Sequence, residues 1–297
     1  MSAVTAGSTV GTAGGWSSRS RQGSPALRRC ARGLMWVTLA VGGVVFLFPF
    51  VWMLLTSVKP EGQVITYPPT LLPRSLDLSP YRDVWSQIGL ARLYLNTLVF
   101  AGAVTVLSVS FDSLAAYAFA RLSFPGKELL FWIVLVTLMV PIAVLIVPLF
   151  FENYEFGWLN TYQGLIVPLA ANGYGIFLLR QFFSTLPFEL DDAARVDGAG
   201  DLFIYLRVIV RLSGPALAAL GIFTFSFNWN NFLWPLIMTS TDSMRTLPAG
   251  LALFSGEHEV IYNMMCAGAF LSMLPLVVLF FFLQRYFVRG IALSGLK

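Results

Sequence analysis

Long apolar runs alternate with short polar ones along the whole chain. Six runs stand out, at residues 34–57, 93–120, 129–151, 161–179, 212–238 and 261–283. Each has close to the roughly 20 apolar residues that one helical crossing of a bilayer requires. Polar punctuation separates them. Arg121 closes the second run before the turn Phe124-Pro125-Gly126-Lys127, Arg180 closes the fourth, and Arg285 and Arg289 close the sixth. Pro141 and Pro148 predict kinks in the third run. Residues 59–91 predict a true loop, because Pro60, Pro68, Pro69, Pro73 and Pro80 exclude a regular helix or strand interior. No internal repeat is visible. The pattern predicts an all-α membrane protein with six transmembrane helices.

Composition agrees. The 297 residues are 57% hydrophobic and only 11% charged, where a soluble domain carries about 25% charged residues. Lipid must therefore be the solvent for most of the surface. Residues 1–33 are rich in Ser, Gly, Thr and Ala, with Arg19, Arg21, Arg28, Arg29 and Arg32, and predict a disordered basic tail. The run after it is longer than a signal-peptide core and no small-residue cleavage site follows, so it reads as an uncleaved first crossing. Residues 34–297 then form one six-helix transmembrane domain. Six crossings put both termini on one side. If that side is the cytoplasm, only Lys59, Arg74, Arg82, Arg92 and Arg245 of the 19 Lys and Arg lie outside, which is the expected asymmetry. The net charge of +4 is small and suggests no nucleic-acid partner.

Several functions are excluded. No G-x-x-x-x-G-K-[ST] sequence occurs, so the chain has no P-loop for ATP. No nucleophile constellation is present, hence no catalytic residue is assigned. Cys30 and Cys266 make neither a disulfide framework nor a metal spacing. The single histidine, His258, lies between Glu257 and Glu259 and reads as a solvated loop residue rather than a metal ligand.

One polar stretch interrupts this oily chain at residues 187–211. Pro187 opens a helix whose acids, Glu189, Asp191 and Asp192, come early, where the helix dipole favours them. Ala193 and Ala194 follow with almost no side chain, so another surface can approach the backbone. Asp197-Gly198-Ala199-Gly200 then ends the helix, since glycine readily takes the left-handed conformation. A second helical run, residues 201–211, leads back into apolar sequence.

This stretch resembles the EAA loop of the permease subunits of ABC importers. The matching residues are Asp192-Ala193-Ala194, then Asp197-Gly198-Ala199, and Pro215 after the second helix. Asp192 stands in place of the usual Glu, and Val210-Arg211 in place of the usual Leu-Pro. Two further segments resemble the carbohydrate branch of the maltose type. These are Tyr117-Ala118-Phe119-Ala120-Arg121 with Phe124-Pro125-Gly126, and Asn228-Trp229-Asn230-Asn231-Phe232-Leu233-Trp234-Pro235-Leu236 with Thr246-Leu247-Pro248. The resemblance implies a MetI-like importer-permease fold with a cytoplasmic coupling helix in a bacterial inner membrane. Glu189, Asp191, Asp192, Ala193, Ala194, Asp197 and Gly198 would couple to an ATPase. The implied partners are a sister permease, two copies of an ATP-binding subunit that holds ATP and Mg, and an extracytoplasmic sugar-binding lipoprotein. The segment 239–259 would reach toward that binding protein, and residues 290–297 offer a second contact to the ATPase.

Candidates for the path or a gate are Asp112, Asn228, Trp229, Asn230 and Asn231. Amides and aromatic faces are the groups that bind sugars. The alternatives stay open: Asp112 as a hydrogen bond to a neighbouring helix, the asparagines as structural groups, and the tryptophans as an interfacial belt. A secondary transporter or channel working without ATP, or an importer of glycerol phosphodiesters or peptides, are the competing functions.

Overall fold

The computed structural model describes the backbone of residues 25–257 and 261–294 and the side chains of residues 32–252 and 261–282. His258 and the chain ends beyond these limits lie outside the described residues. The chain forms two compact units, Met1–Val51 and Trp52–Lys297. Among the described residues every regular element is helical.

Helix α1 spans Pro25–Ser57 and crosses from the first unit into the second. It starts inside the stretch expected to be a disordered tail. Proline suits a first helical position, where its missing N–H has no intrahelical partner, and Ala26, Leu27, Arg28 and Arg29 are good helix formers. Its side chains described from residue 32 to 51 are exposed, among them Leu34, Trp36, Phe46 and Leu47.

The loop that follows is not wholly irregular. A 3-10 turn spans Glu61–Gln63 and α2 spans Ser79–Gln87. Pro80 sits in the first turn of α2, which proline tolerates, so it starts this helix rather than excluding it. Gly89, at φ 63°, reverses the chain directly into α3, Leu90–Arg121. The 32 residues of α3 are unbroken and run for about 48 Å at 1.5 Å per residue.

The middle of the chain departs most from expectation. The third crossing is two helices, α4 (Lys127–Thr137) and α5 (Ile142–Glu155), bent by 99°. Pro141 is the cause: it is extended at ψ 135° and cannot continue a helix. Pro148 lies inside α5 without ending it. The fourth crossing is also broken, against the continuous 161–179 expected. It consists of α6 (Tyr162–Ile166), a 3-10 turn at Val167–Leu169, and α7 (Gly173–Phe183), with a bend of 42°. Next come α8 (Glu189–Val196), α9 (Asp201–Ile204), a π-helical turn at Tyr205–Ile209, and α10 (Val210–Leu212). The fifth crossing was expected over 212–238. Instead α11 spans Gly214–Trp229 after an 80° bend at Ser213, and a short α12, Leu233–Met238, follows. With no proline at 211 the second loop helix runs on to Leu212, and the turn waits for Gly214-Pro215. Helix α13, Leu247–Glu257, occupies much of the segment 239–259. Helix α14 spans Tyr262–Ser294. Three long apolar helices and three bent pairs together provide six candidate crossings.

Helix α3 is the axis of the second unit. It packs against α2, α6, α7, α11 and α13. Its buried positions, among them Asn96, Phe100, Val104, Ser108, Asp112, Ala116 and Ala120, recur three and four residues apart and form a buried stripe. Three apolar clusters lie along it. Ala116 and Tyr117 pack with Leu179, Phe183, Ile204 and Ile209 at the end that carries α8. Leu90 and Leu93 pack with Val84, Trp229 and Leu247 at the other end, and Phe100 and Val104 pack with Leu165 and Trp234 between.

The polar members of the stripe bind one helix break and the chain segments beside other helices. Asp112 accepts from Ser108 Oγ at 2.6 Å and from the backbone N–H of Asn172 at 3.0 Å. Asn172 caps α7 by accepting from Gly175 N–H at 2.9 Å and donates to Ser108 Oγ at 3.2 Å. Asn96 donates to the carbonyls of Ser243 and Arg245, each at 2.8 Å, and accepts from Tyr162 Oη at 2.7 Å. Thr97 Oγ1 accepts from Leu247 N–H at 2.7 Å, the first residue of α13. Each buried donor left without such a partner costs about 1–3 kcal/mol.

The approach of α7 to α3 depends on Gly175, because a Cβ there would collide with the Asp112 carboxyl group. Gly102, also on α3, has nothing within 4 Å of its Cβ position. Gly175→Ala is expected to destabilise the fold by about 1–3 kcal/mol, the usual cost of overpacking. Thermal unfolding in detergent should show a lowered midpoint for that variant and one equal to or above wild type for Gly102→Ala, since alanine favours an open helix position.

Candidate functional site

The polar loop folds into a small helix with a defined inner and outer face. Helix α8 starts at Phe188, whose carbonyl accepts from Asp191 N–H at 2.9 Å and Asp192 N–H at 3.1 Å. Its first turn is acidic and its last turn holds Arg195, in the order that the helix dipole favours. Its end is closed by the backbone alone. Gly198, at φ 82°, donates to the Arg195 carbonyl at 3.0 Å, and Ala199 donates to the Ala194 carbonyl at 2.9 Å. This is the Schellman arrangement, and its left-handed position suits glycine. Ala194 and Ala199 both rest on the apolar cluster beneath.

Asp191 and Ala194, three residues apart, face inward. Asp191 is buried, and its carboxylate lies 3.5 Å from Nη1 of Arg121, the last residue of α3. The Arg121 guanidinium also donates to the Leu186 carbonyl at 2.8 Å and lies 4.4 Å from the centre of the Phe188 ring. Burial pushes the Asp191 carboxyl above its ordinary value, and the nearby Arg121 only partly offsets this. Beneath the pair, the rings of Tyr117 and Tyr205 lie 5.3 Å apart, and Tyr205 Oη meets Ser113 Oγ at 2.6 Å. The π-helical turn thus anchors to α3.

The outer face is different. Glu189, Asp192, Ala193, Asp197 and Gly198 are exposed. So are apolar side chains around them: Val196 at 88%, Leu202 at 65%, Phe203 at 55% and Leu206 at 51%. Arg195 bridges Asp192 at 3.7 Å and Asp201 at 3.1 Å, both in water, where such pairs contribute about 0–1 kcal/mol. A ring of acids around exposed apolar groups is a surface suited to a protein partner.

The five candidates for the path divide in the same manner. Asp112 has no exposure, and its bonds to Ser108 and Asn172 stay within the chain. Trp229 is buried, donates Nε1–H to the Ser272 carbonyl at 3.0 Å, and stacks on Phe225 with ring centres 5.5 Å apart. Asn228 is buried and donates to the Thr224 carbonyl at 2.8 Å, while its Oδ1 has no partner. Asn231 is half-buried and accepts from Trp234 N–H at 3.3 Å. Asn230 is exposed, with Nδ2 donating to the Ser226 carbonyl at 2.8 Å. Among the described residues no cluster of three His, Cys, Asp or Glu could hold a metal ion.

Sequence reading did not find the partners of these residues. Arg121 meets Asp191 across 70 positions of sequence, and no local signal joins them. A second missed group is Asn160, at φ 58°. Its Oδ1 accepts from Ser240 N–H at 3.0 Å, Thr241 N–H at 3.1 Å and Thr241 Oγ1 at 3.0 Å. Asn160 follows Gly157-Trp158-Leu159, a turn-like context that could have marked it.

Comparison with known proteins identifies the family. Residues 112–293 match the family described as binding-protein-dependent transport system inner membrane component. An arabinooligosaccharides transport system permease of Halalkalibacterium halodurans is 34% identical over 276 residues, covering 91% of this chain and 99% of that one. An sn-glycerol-3-phosphate transport system permease of Pectobacterium atrosepticum is 36% identical over 265 residues, covering 86% and 94%. In fold, the chain is similar to the crystal structure of a bacterial ABC transporter involved in the import of the acidic polysaccharide alginate. The TM-score is 0.77 at 23% identity, over 87% of this chain and 97% of that one. The chain belongs to the binding-protein-dependent transport system inner membrane components, the membrane-spanning permeases of ABC importers.

Proposed function

We propose that this permease forms half of the translocation pore of a carbohydrate importer, and that α8 is where a separate ATPase subunit grips it. The observation that carries the reading is the two-sided character of α8. Asp191 and Ala194 hold it to the bundle, while Glu189, Asp192, Ala193, Asp197 and Gly198 lie in the open beside Val196, Leu202 and Phe203. A sister permease supplies the other half of the pore, and two ATPase copies bind ATP and Mg. This chain has no P-loop and so no ATP site of that kind. The Lys and Arg asymmetry supports an orientation with both termini and α8 in the cytoplasm. An extracytoplasmic binding protein would then dock on the opposite face, where Asn96 and Asn160 hold the segment 239–246 in place.

Transport follows by alternating access. Closure of the ATPase pair moves α8, the bundle tilts to face outward, and the binding protein releases cargo. Hydrolysis resets it. The arabinooligosaccharide relatives support an oligosaccharide cargo. The glycerol-phosphate relatives favour a second reading, a phosphorylated polyol. Asn230, the exposed path candidate, is neutral and offers no cation to a phosphate, which supports the first reading.

Gly198→Trp forces a bulky side chain into a left-handed position and onto the exposed face. Uptake in whole cells should fall by about tenfold or more, a coupling loss of the order seen between linked sites, while the protein still extracts from the membrane as a folded species. Unchanged uptake would argue against α8 as the contact. A phosphatase reporter fused after Gly200 should stay inactive, and activity there would reverse the orientation. Deletion of the chain should abolish uptake of labelled arabinooligosaccharides or a related oligosaccharide; loss confined to sn-glycerol 3-phosphate would select the second reading.

A further inference from the structure

Helix α8 can pass motion to the bundle only through the contacts that join them. The Arg195 pairs are exposed and reach no farther than α9. Ala194 and Ala199 rest on the cluster by apolar contact, which permits sliding. The link between Arg121 and Asp191 is of another kind. It ends on α3, the helix against which α2, α6, α7, α11 and α13 all pack. Arg121 also holds the strap leading into α8, through the Leu186 carbonyl and the Phe188 ring. One guanidinium at the tip of a long unbroken helix therefore holds both the approach to α8 and its first turn.

The link is also incomplete. At 3.5 Å the ion pair is longer than a charge-assisted hydrogen bond, which is about 2.8 Å. Arg121 Nε and Nη1, both Asp191 oxygens and Tyr117 Oη are buried with no hydrogen-bond partner. A buried ion pair adds little to stability even when fully bonded, and one left unsatisfied adds less. A bracing role explains this arrangement poorly. A shift of α8 by less than an ångström would bring the carboxylate into bonding range.

We propose that Arg121 and Asp191 are positioning residues for energy coupling: the pair transmits displacement of α8 to α3 and closes into a hydrogen-bonded contact when the ATPase grips the loop. The inference rests on the reading of α8 as the ATPase contact. Within the family pattern it separates neighbouring acids, with Asp192 on the partner's side and Asp191 on the bundle's side.

The test uses the complete importer, with its sister permease and ATPase subunits, in lipid vesicles supplied with binding protein and cargo. The quantity read is cargo moved per ATP hydrolysed, for wild type, Asp191→Asn and Asp191→Glu. Asp191→Asn removes the charge at nearly constant shape, and Asp191→Glu keeps it with a longer reach. Asp191→Asn should give an assembled, hydrolysing complex that moves at least about fivefold less cargo per ATP, in the range of known coupling effects. Asp191→Glu should recover most of that ratio. A wild-type ratio in Asp191→Asn overturns the proposal, and so does loss of assembly in proportion to loss of transport, since the pair would then be a brace. A separate control introduces Val196→Cys and crosslinks it to the ATPase. Failure of that crosslink removes the docking reading itself, and the inference with it, whatever the ratio shows.

Discussion

A helix that stops among lipid-bounded neighbours exposes backbone groups that no water can satisfy. The second unit contains three bent crossings, and the break at Asn172, like the segments that lead into α13 and α8, finds its partners on one helix. The answer is repeated along α3. Asn96 takes the carbonyls of Ser243 and Arg245, Thr97 takes the N–H of Leu247, Asp112 takes the N–H of Asn172, and Arg121 takes the carbonyl of Leu186. One unbroken helix carries the polar groups, and the broken segments around it carry the needs. This explains why α3 is apolar enough to cross a membrane and yet buries Asn96, Thr97, Ser108, Asp112, Ser113 and Arg121.

The same arrangement divides rigid parts from movable ones. The bonds at Asn96, Thr97 and Asp112 are short and mutually supporting, so the segments they hold move with α3. At the Arg121 end the contact with α8 is longer and leaves polar atoms unused. The π-helical turn at Tyr205–Ile209 lies beside it, and such turns often mark functional sites within helices. A long, partly unsatisfied buried contact thus lies where the proposed ATPase contact would deliver force.

Much of this was legible in the residues. Apolar length is a direct readout of bilayer thickness, so six crossings could be read with no further knowledge. Gly198 announced its own conformation, because few other residues take a positive φ cheaply. The breaks were harder. Pro141 predicted a kink, but a 99° turn depends on what α5 packs against. Asn172-Gly173 looked like part of a crossing because its cap is completed by Asp112, 60 residues away. The acids of α8 could be placed on a helix but not on a face, since the inward side is set by where Arg121 waits. Trp229 and Asn228 carried sugar-binding chemistry in the sequence; in the fold Trp229 bonds across to α14 at Ser272, and Asn228 donates within α11 to Thr224.

Helix α3 also grips something at each tip: Asn96 and Arg92 hold Ser243 near one, and Arg121 holds the approach to α8 at the other. Its length makes it a see-saw. Rocking such a rod about its midpoint by some 10° would swing either tip through about 4 Å, given 1.5 Å of rise per residue. Two surfaces on opposite sides of the bilayer would then feel a single tilt at once, in opposite directions, with no relay of small rearrangements between them.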